Sequence, residues 1–225
     1  MKTALPSRPP PVVLAAPSGT GKTTIARALV DGFEDFVFSV SVTTRAPRAG
    51  ERDGVDYEFV TAGEFQRMVA AEELVEWAEV HGNLYGTPRR GIEAARETGR
   101  HPVLDIDVQG ARQVRERLPD AILVFVFPPS GNALGARLAK RGTEDDAEVR
   151  RRLRAAHREM EESAGFDYII VNEELSAAVA RVREVVLSEG HRTERVRDLE
   201  AEVARVRAEI DRLLAAGTPR NAAAG

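Results

Sequence analysis

Four apolar residues, Val12-Val13-Leu14-Ala15, run straight into Ala16-Pro17-Ser18-Gly19-Thr20-Gly21-Lys22-Thr23-Thr24, and a helical pattern (Ile25, Ala26, Ala28, Leu29) follows at once. A buried strand that breaks into a glycine-bearing turn and re-emerges as a helix is the local frame of a phosphate-binding loop. Gly19 and Gly21 let backbone N–H groups turn inward with no Cβ in the way, where they can cradle phosphate oxygens. A helix beginning near Thr20 points its positive dipole end at the same spot. Lys22 is placed to neutralise the outer phosphates, and the Thr23 hydroxyl to ligate Mg²⁺. The pattern G-x-x-x-x-G-K-[ST] opens on glycine where this chain has Ala16, a departure of one methyl group. The bland alternative is an ordinary turn between strand and helix. Against it, the chain carries only three lysines (Lys2, Lys22, Lys140) amid abundant arginine, yet keeps one here.

At 225 residues the chain can build one substantial core with inserted lobes, but not two large domains. A net charge of −4 supplies no overall basic field for nucleic acid. The absence of cysteine excludes disulfides and thiolate-ligated metals, and fits a reducing compartment. Residues 1–10 are Pro-rich, without the apolar stretch of a signal peptide, and are expected to be disordered. The longest apolar run, Ala121 to Phe127, falls far short of the ~20 residues that span a bilayer. These features lead us to expect a soluble, cytoplasmic protein. Its four histidines (His81, His101, His157, His191) show no ligand spacing.

Four near-continuous apolar runs, Val12–Ala15, Val103–Val108, Ala121–Phe127 and Tyr168–Val171, read as strands buried on both faces. Helical patterns separate them. Thr61 and Glu64 form a capping box opening a helix to about Ala71. A second runs from about Arg89 to Thr98 and stops at Gly99. A third covers Gln109 to Leu118 and ends at Pro119. The expected fold is α/β: a P-loop-type parallel sheet flanked by helices (11–35 and 88–190), with a strand-rich lobe inserted at 36–87. Residues 130–163 read as two helices joined by Arg141-Gly142-Thr143, dense in arginine and with little to bury. Such a hairpin on a phosphate-binding core suggests a mobile lid. In 191–216, Val196, Leu199, Val203, Val206, Ile210 and Leu213 alternate spacings of three and four, a heptad seam. It either packs on the chain's own core or pairs with another subunit. Residues 217–225 are expected to be disordered.

The inserted lobe speaks for the phosphoryl acceptor. Ser41-Val42-Thr43-Thr44-Arg45-Ala46-Pro47-Arg48-Ala49-Gly50-Glu51 places two arginine forks around a proline turn, where they could clamp a phosphate. Tyr57 and Tyr85 add phenol donors. Taken alone, an arginine pair of this kind is more often a solvated turn.

With Glu76-Trp77-Ala78-Glu79, Tyr85-Gly86-Thr87, Leu104-Asp105-Ile106-Asp107-Val108-Gln109-Gly110 and Arg141-Gly142-Thr143, the chain resembles the guanylate kinases over roughly Pro11 to Gly190. These are nucleoside monophosphate kinases that pass a phosphoryl group from ATP to GMP. Ala16 in place of glycine also falls within that family's pattern, whereas Leu84 stands where an aromatic is frequent and Thr87 where serine is. The resemblance implies that Arg45, Arg48, Tyr57 and Tyr85 hold the GMP phosphate. It also implies that Ser41, Glu76, Thr87 and Asp107 read guanine, with Glu51 and Asp105 in the same GMP site. Asp105 could instead orient a metal-bound water or an arginine. Residues 16–24 would bind ATP, with Asn172 near the adenine. Lys22, Arg45 and the lid arginines Arg137, Arg141 and Arg152 would act on the transferring group, with Mg²⁺ at Thr23 and ATP as co-substrate. Guanine offers N1–H and N2–H₂ as adjacent donors that a carboxylate such as Glu76 accepts together, and its O6 accepts from a hydroxyl at Ser41 or Thr87. A site built this way rejects adenine by ~10⁴–10⁵. The implied partners are GMP, dGMP and ATP, with neither nucleic acid nor membrane, and a homo-oligomer through the C-terminal helix if the seam pairs. Two rivals stand beside this reading: a non-catalytic, peptide-holding relative of the same fold, and a kinase of the same scaffold with another phosphorylated acceptor.

Overall fold

A computed structural model describes residues 8–80, 82–139, 146–196 and 198–215. In chain order the elements are β1 (Val12–Ala15), α1 (Lys22–Gly32), β2 (Phe36–Phe38), β3 (Val42–Thr43), β4 (Glu58–Phe59), α2 (Ala62–Ala70), β5 (Leu74–Val80), β6 (Asn83–Pro88), α3 (Arg89–Glu97), β7 (His101–Ile106), α4 (Val108–Arg117), β8 (Ile122–Phe127), α5 (Gly131–Ala139), α6 (Asp146–Glu161), β9 (Tyr168–Val171), α7 (Leu175–Glu189) and α8 (Leu199–Ala215). Residues 9–189 form one compact unit, and the segment from Gly190 onward belongs to another.

Within 9–189, a parallel five-stranded sheet runs in the order β2-β7-β1-β8-β9. Successive side chains of a strand point to opposite faces, and each central strand feeds two cores. Val12 and Leu14 join Ile25 and Leu29 of α1 and Val182 and Val186 of α7. Val13 and Ala15 join Leu104, Leu123, Phe125 and Val114 of α4. Chain order reverses at β1, which lies between β7 and β8, so the carboxyl ends of β1 and β7 mark the switch point at which open α/β sheets bind ligands.

Four expectations need correction here. β9 is not buried on both faces: it is the sheet edge, and Ile169 is 55 % exposed. Val108 is not in the strand, because Asp107 accepts from Gly110 N–H (2.8 Å) and caps α4 one residue earlier. Phe36–Phe38 is not part of the inserted lobe: it pairs with β7 in the large sheet, drawn there by the fully buried Phe36. The first helix opens at Lys22 rather than Thr20, with Gly21 at φ 91° as its N-cap.

The lobe is a four-stranded mixed sheet, β4-β3-β6-β5, whose apolar face packs Val42 and Leu74 on Phe65 and Met68 of α2. Thr61 caps α2 through Glu64 N–H (3.1 Å), while the Glu64 carboxylate turns to Arg67 instead of completing the box. α5 and α6 share a small core of Leu134, Leu138 and Ala156, more than the sequence suggested they could bury.

The expected lid turn Arg141-Gly142-Thr143, His81, and the two termini at 1–7 and 216–225 lie outside the described residues. In the C-terminal segment, α8 opens at Leu199, and Asp198 with φ 54° separates it from Val196. Val196 is therefore not on the helix, and the seam on α8 runs from Leu199 to Leu213.

Candidate active site

The loop after β1 is held from both sides. Gly19 and Gly21 take φ 88° and 91°, left-handed values that side chains resist. A Cβ on Gly19 would stand 2.7 Å from Leu138 of α5, and one on Gly21 would strike the Asn172 amide. Thr20 is fully buried, and its hydroxyl donates to Pro17 O (2.9 Å). Its carbonyl accepts from Asn172 Nδ2 (2.7 Å) and from Arg137 (3.1 Å), which also bonds Asn172 O (3.0 Å). Asn172 and Arg137 thus shape the loop from behind. Arg152 of α6 donates to Ser18 Oγ (2.6 Å), tying the expected lid to the loop. Ala16 and Pro17 are buried beneath the loop, while Ser18, Thr23 and Thr24 face outward.

Lys22 Nζ reaches Ile106 O (2.6 Å) and Asp105 Oδ1 (2.5 Å), and the Thr23 hydroxyl donates to Asp105 Oδ2 (2.5 Å). Asp105 therefore bonds two residues of the phosphate loop, whereas the resemblance also put it in the GMP site. It sits at the end of β7, in register with Leu14 of β1, which brings it beside the loop.

In the inserted lobe, Arg45 is gripped by a bidentate pair with Glu51 (2.8 and 3.0 Å) and donates through Nε to Tyr85 Oη (3.1 Å). Its guanidinium lies 5.4 Å from the Tyr57 ring centroid, and the Tyr57 and Tyr85 rings meet edge to face at 5.9 Å. Glu51 also accepts from Arg48 N–H (2.7 Å). A carboxylate so engaged orients the Arg45 guanidinium and fixes the Arg48 backbone; the resemblance put Glu51 in the GMP site, and its hydrogen bonds here go to the arginine turn itself. Its own pKa is lowered by the bond to Arg45. Burial raises the Tyr57 phenol, with Asp105 the next cause, so Asp105 acts electrostatically on the acceptor side too.

Deeper in the lobe, Glu76 is 4 % exposed and accepts from the Thr87 hydroxyl (2.5 Å). Burial pushes its pKa up to about 7; Thr87 opposes the shift and the charge on Asp107 adds to it. Because the Thr87 proton is committed to Glu76, the half-buried Ser41, just before β3, is left as the hydroxyl donor of the expected pair. Asp107 stands near Glu76, but one of its oxygens caps α4.

Three contributors were assigned no role from the sequence. Gly110 makes room for the carboxylate, since a Cβ there would stand 2.6 Å from Glu76 Oε2. Gln113 pins β5 by bonding Trp77 O (2.8 Å) and Trp77 N–H (3.3 Å). Glu159 of α6 is half-buried, and its pKa is raised by burial and by Asp107, with Lys22 acting against the shift. A helix-interior glycine such as Gly110 was the one available hint. Gly110→Ala is expected to destabilise the fold by about 1–3 kcal/mol and to displace Glu76. A thermal melt and a GMP titration check both, and an unchanged melt would show that the helix shifts freely.

A family model described as Guanylate kinase matches residues 8–189. A guanylate kinase of Geobacter sulfurreducens is 48 % identical over 191 residues, covering 85 % of this chain and 94 % of that one. One of Symbiobacterium thermophilum is 50 % identical over 184 residues, covering 82 % and 87 %. Among solved structures, the guanylate kinase of Anaplasma phagocytophilum aligns with a TM-score of 0.72 at 36 % identity, covering 88 % of this chain and 94 % of that one.

Proposed function

The chain belongs to the guanylate kinase family and transfers the terminal phosphoryl group of ATP to GMP, giving ADP and GDP; on that premise we propose how its own residues divide the work. The observation that carries the acceptor assignment is Glu76, a carboxylate buried in the lobe, paired with one hydroxyl and given space by Gly110. It accepts the N1–H and N2–H₂ donors of guanine, while Ser41 donates to O6. Arg45, aligned by Glu51 and Tyr85, and Arg48 hold the phosphate of GMP with Tyr57.

The acceptor oxygen of GMP is already anionic, so no strong general base is required, and catalysis reduces to alignment and charge neutralisation. The backbone of residues 19–23 and Lys22 hold the outer phosphates of ATP. On ATP binding, the Lys22 ammonium exchanges its contact with Asp105 for phosphate oxygens. Thr23 Oγ1 and Asp105 Oδ2, adjacent at 2.5 Å, are two hard oxygen donors of the kind that suit Mg²⁺ held mainly by phosphates and water. These two residues would hold the ion, which when bound neutralises charge on the phosphate oxygens. Arg152 reaches the loop from α6 and stabilises charge on the transferring group; Arg141, assigned the same role by the resemblance, lies outside the described residues. Closure of α5 and α6 excludes water and suppresses futile ATP hydrolysis. Arg137 and Asn172 act through the carbonyl of Thr20 and position the loop.

Cytoplasm, where both nucleotides are made and consumed, is the compartment this reading assigns. Neither nucleic acid nor a membrane enters the chemistry. Among the described residues no helix is long and apolar enough to cross a membrane. Subunit pairing is assigned to the C-terminal helix. A purely peptide-holding role is not favoured, since Gly19, Gly21, Lys22 and Thr23 are all in place around a formed loop. A panel of GMP, dGMP, AMP and phosphorylated sugars with ATP tests the acceptor. Turnover confined to the two guanine nucleotides is expected, and equal use of AMP would overturn the role of Glu76.

A further inference from the structure

We propose that α8 pairs in parallel with the α8 of a second copy, joining two chains through a short two-stranded coiled coil. α8 is 17 residues, about 25 Å of helix, and none of its residues is buried. Leu213 and Leu214 are more than half exposed, and Val203, Val206 and Ile210 nearly so. A lone helix of this length is marginal in water. Alanines at 201, 204 and 208 favour helix, and Arg205 bridges Glu202 and Glu209 along its surface. Neither feature explains the apolar stripe.

The stripe reads as a heptad, with Val203 and Ile210 at a and Leu199, Val206 and Leu213 at d. β-Branched residues at a, with leucine predominating at d, favour two strands. The flanking charges choose the direction. Glu202 and Glu209 occupy g; Glu200, Arg207 and Leu214 occupy e. In a parallel pair, each g residue meets the partner's e residue of the next heptad. Glu202 then faces the partner's Arg207, and symmetry supplies that ion pair twice. The stem of Glu209 lies along the partner's Leu214. In an antiparallel pair g faces g, which sets Glu202 of each chain against Glu209 of the other. Opposite charges across the seam in one orientation, and like charges in the other, commit the occupant to a parallel second copy. The seam spans only about two and a half heptads, so association is concentration-dependent. α8 lies beyond the residues matched by the kinase family model, so pairing is separable from catalysis.

Sedimentation equilibrium of the full chain over a dilution series tests this. The expected mass is that of two chains, dissociating on dilution. Val206→Glu should give one chain with kinase turnover unchanged. Glu202→Arg and Arg207→Glu should each weaken pairing roughly tenfold, since each turns two attractive contacts repulsive, and the double exchange should restore it. A single-chain mass at every concentration, a three-chain mass, or a Val206→Glu dimer would overturn the proposal. So would tighter association of Glu202→Arg, the signature of antiparallel pairing, or failure of the double exchange to rescue.

Discussion

Lys22→Ala should lower kcat by about 10²–10³-fold, the loss typical of removing one preorganised charge donor from a transferring group. Lys22 Nζ lies 2.5 Å from Asp105 and 2.6 Å from Ile106 O, at the mouth of the loop, so its ammonium is already positioned when ATP arrives. The variant also leaves the Asp105 carboxylate, 12 % exposed, without that cation. Some loss of stability should follow, although Thr23 still donates to Asp105. Lys22→Ala/Asp105→Asn separates the two effects: the second change should recover the melting temperature and leave kcat low. Single-turnover kinetics with saturating GMP make the measurement. Turnover within a few-fold of wild type would remove Lys22 from the chemistry, whatever the melt showed.

Glu76 should make GMP affinity depend on pH. Its pKa in the empty site is raised from 4.5 to about 7, chiefly by burial, so the empty site favours the neutral acid. Guanine needs the carboxylate as acceptor. KM for GMP is therefore expected to be flat above pH 7 and to rise about tenfold per unit below it, with kcat less affected. The sign for stability is opposite. A raised carboxyl pKa means that stability is greatest below the unfolded value and is lost as pH climbs from 4.5 through about 7. That loss is about 3 kcal/mol at its limit. Glu76→Gln should therefore melt higher than wild type at pH 8 while binding GMP roughly 10²-fold more weakly, because its amide N–H₂ opposes the guanine donors. It should also abolish the pH dependence of KM and erode discrimination against AMP. A pH-independent KM in the wild type, or unchanged selectivity in the variant, would refute the guanine-reading role. Above about pH 7 the empty enzyme holds a buried charge that the guanine donors then stabilise.

Much of the architecture was legible because it is written in adjacent residues. The unbroken runs at 12–15 and 168–171 match their strands residue for residue, and Thr61 and Gly99 mark a helix start and end as expected. Legibility failed where a local pattern had two readings. Val108 is as apolar as the strand before it, but Asp107 can cap a helix, and the cap won. Phe36–Phe38 is too short to announce a strand, and its membership of the large sheet rests on pairing with residues more than sixty positions away. Val196 keeps the heptad spacing, yet the left-handed Asp198 interrupts the helix before it.

The sequence by itself determined which chemistry was present: a loop able to hold phosphates, arginines and a glutamate suited to GMP, and a helix with one apolar stripe. Those are properties of residue type and short spacing, and they survive in any fold that keeps the segment intact. Only the tertiary structure decided which of these groups bond one another. Asp105 turned to the phosphate loop, Glu51 to Arg45, Asn172 and Arg137 to the carbonyl of Thr20, and the Thr87 proton to Glu76. A buried polar atom must take the partner that the chain's path brings within about 3 Å, and that distance is set by packing between segments as far apart as Thr20 and Asn172.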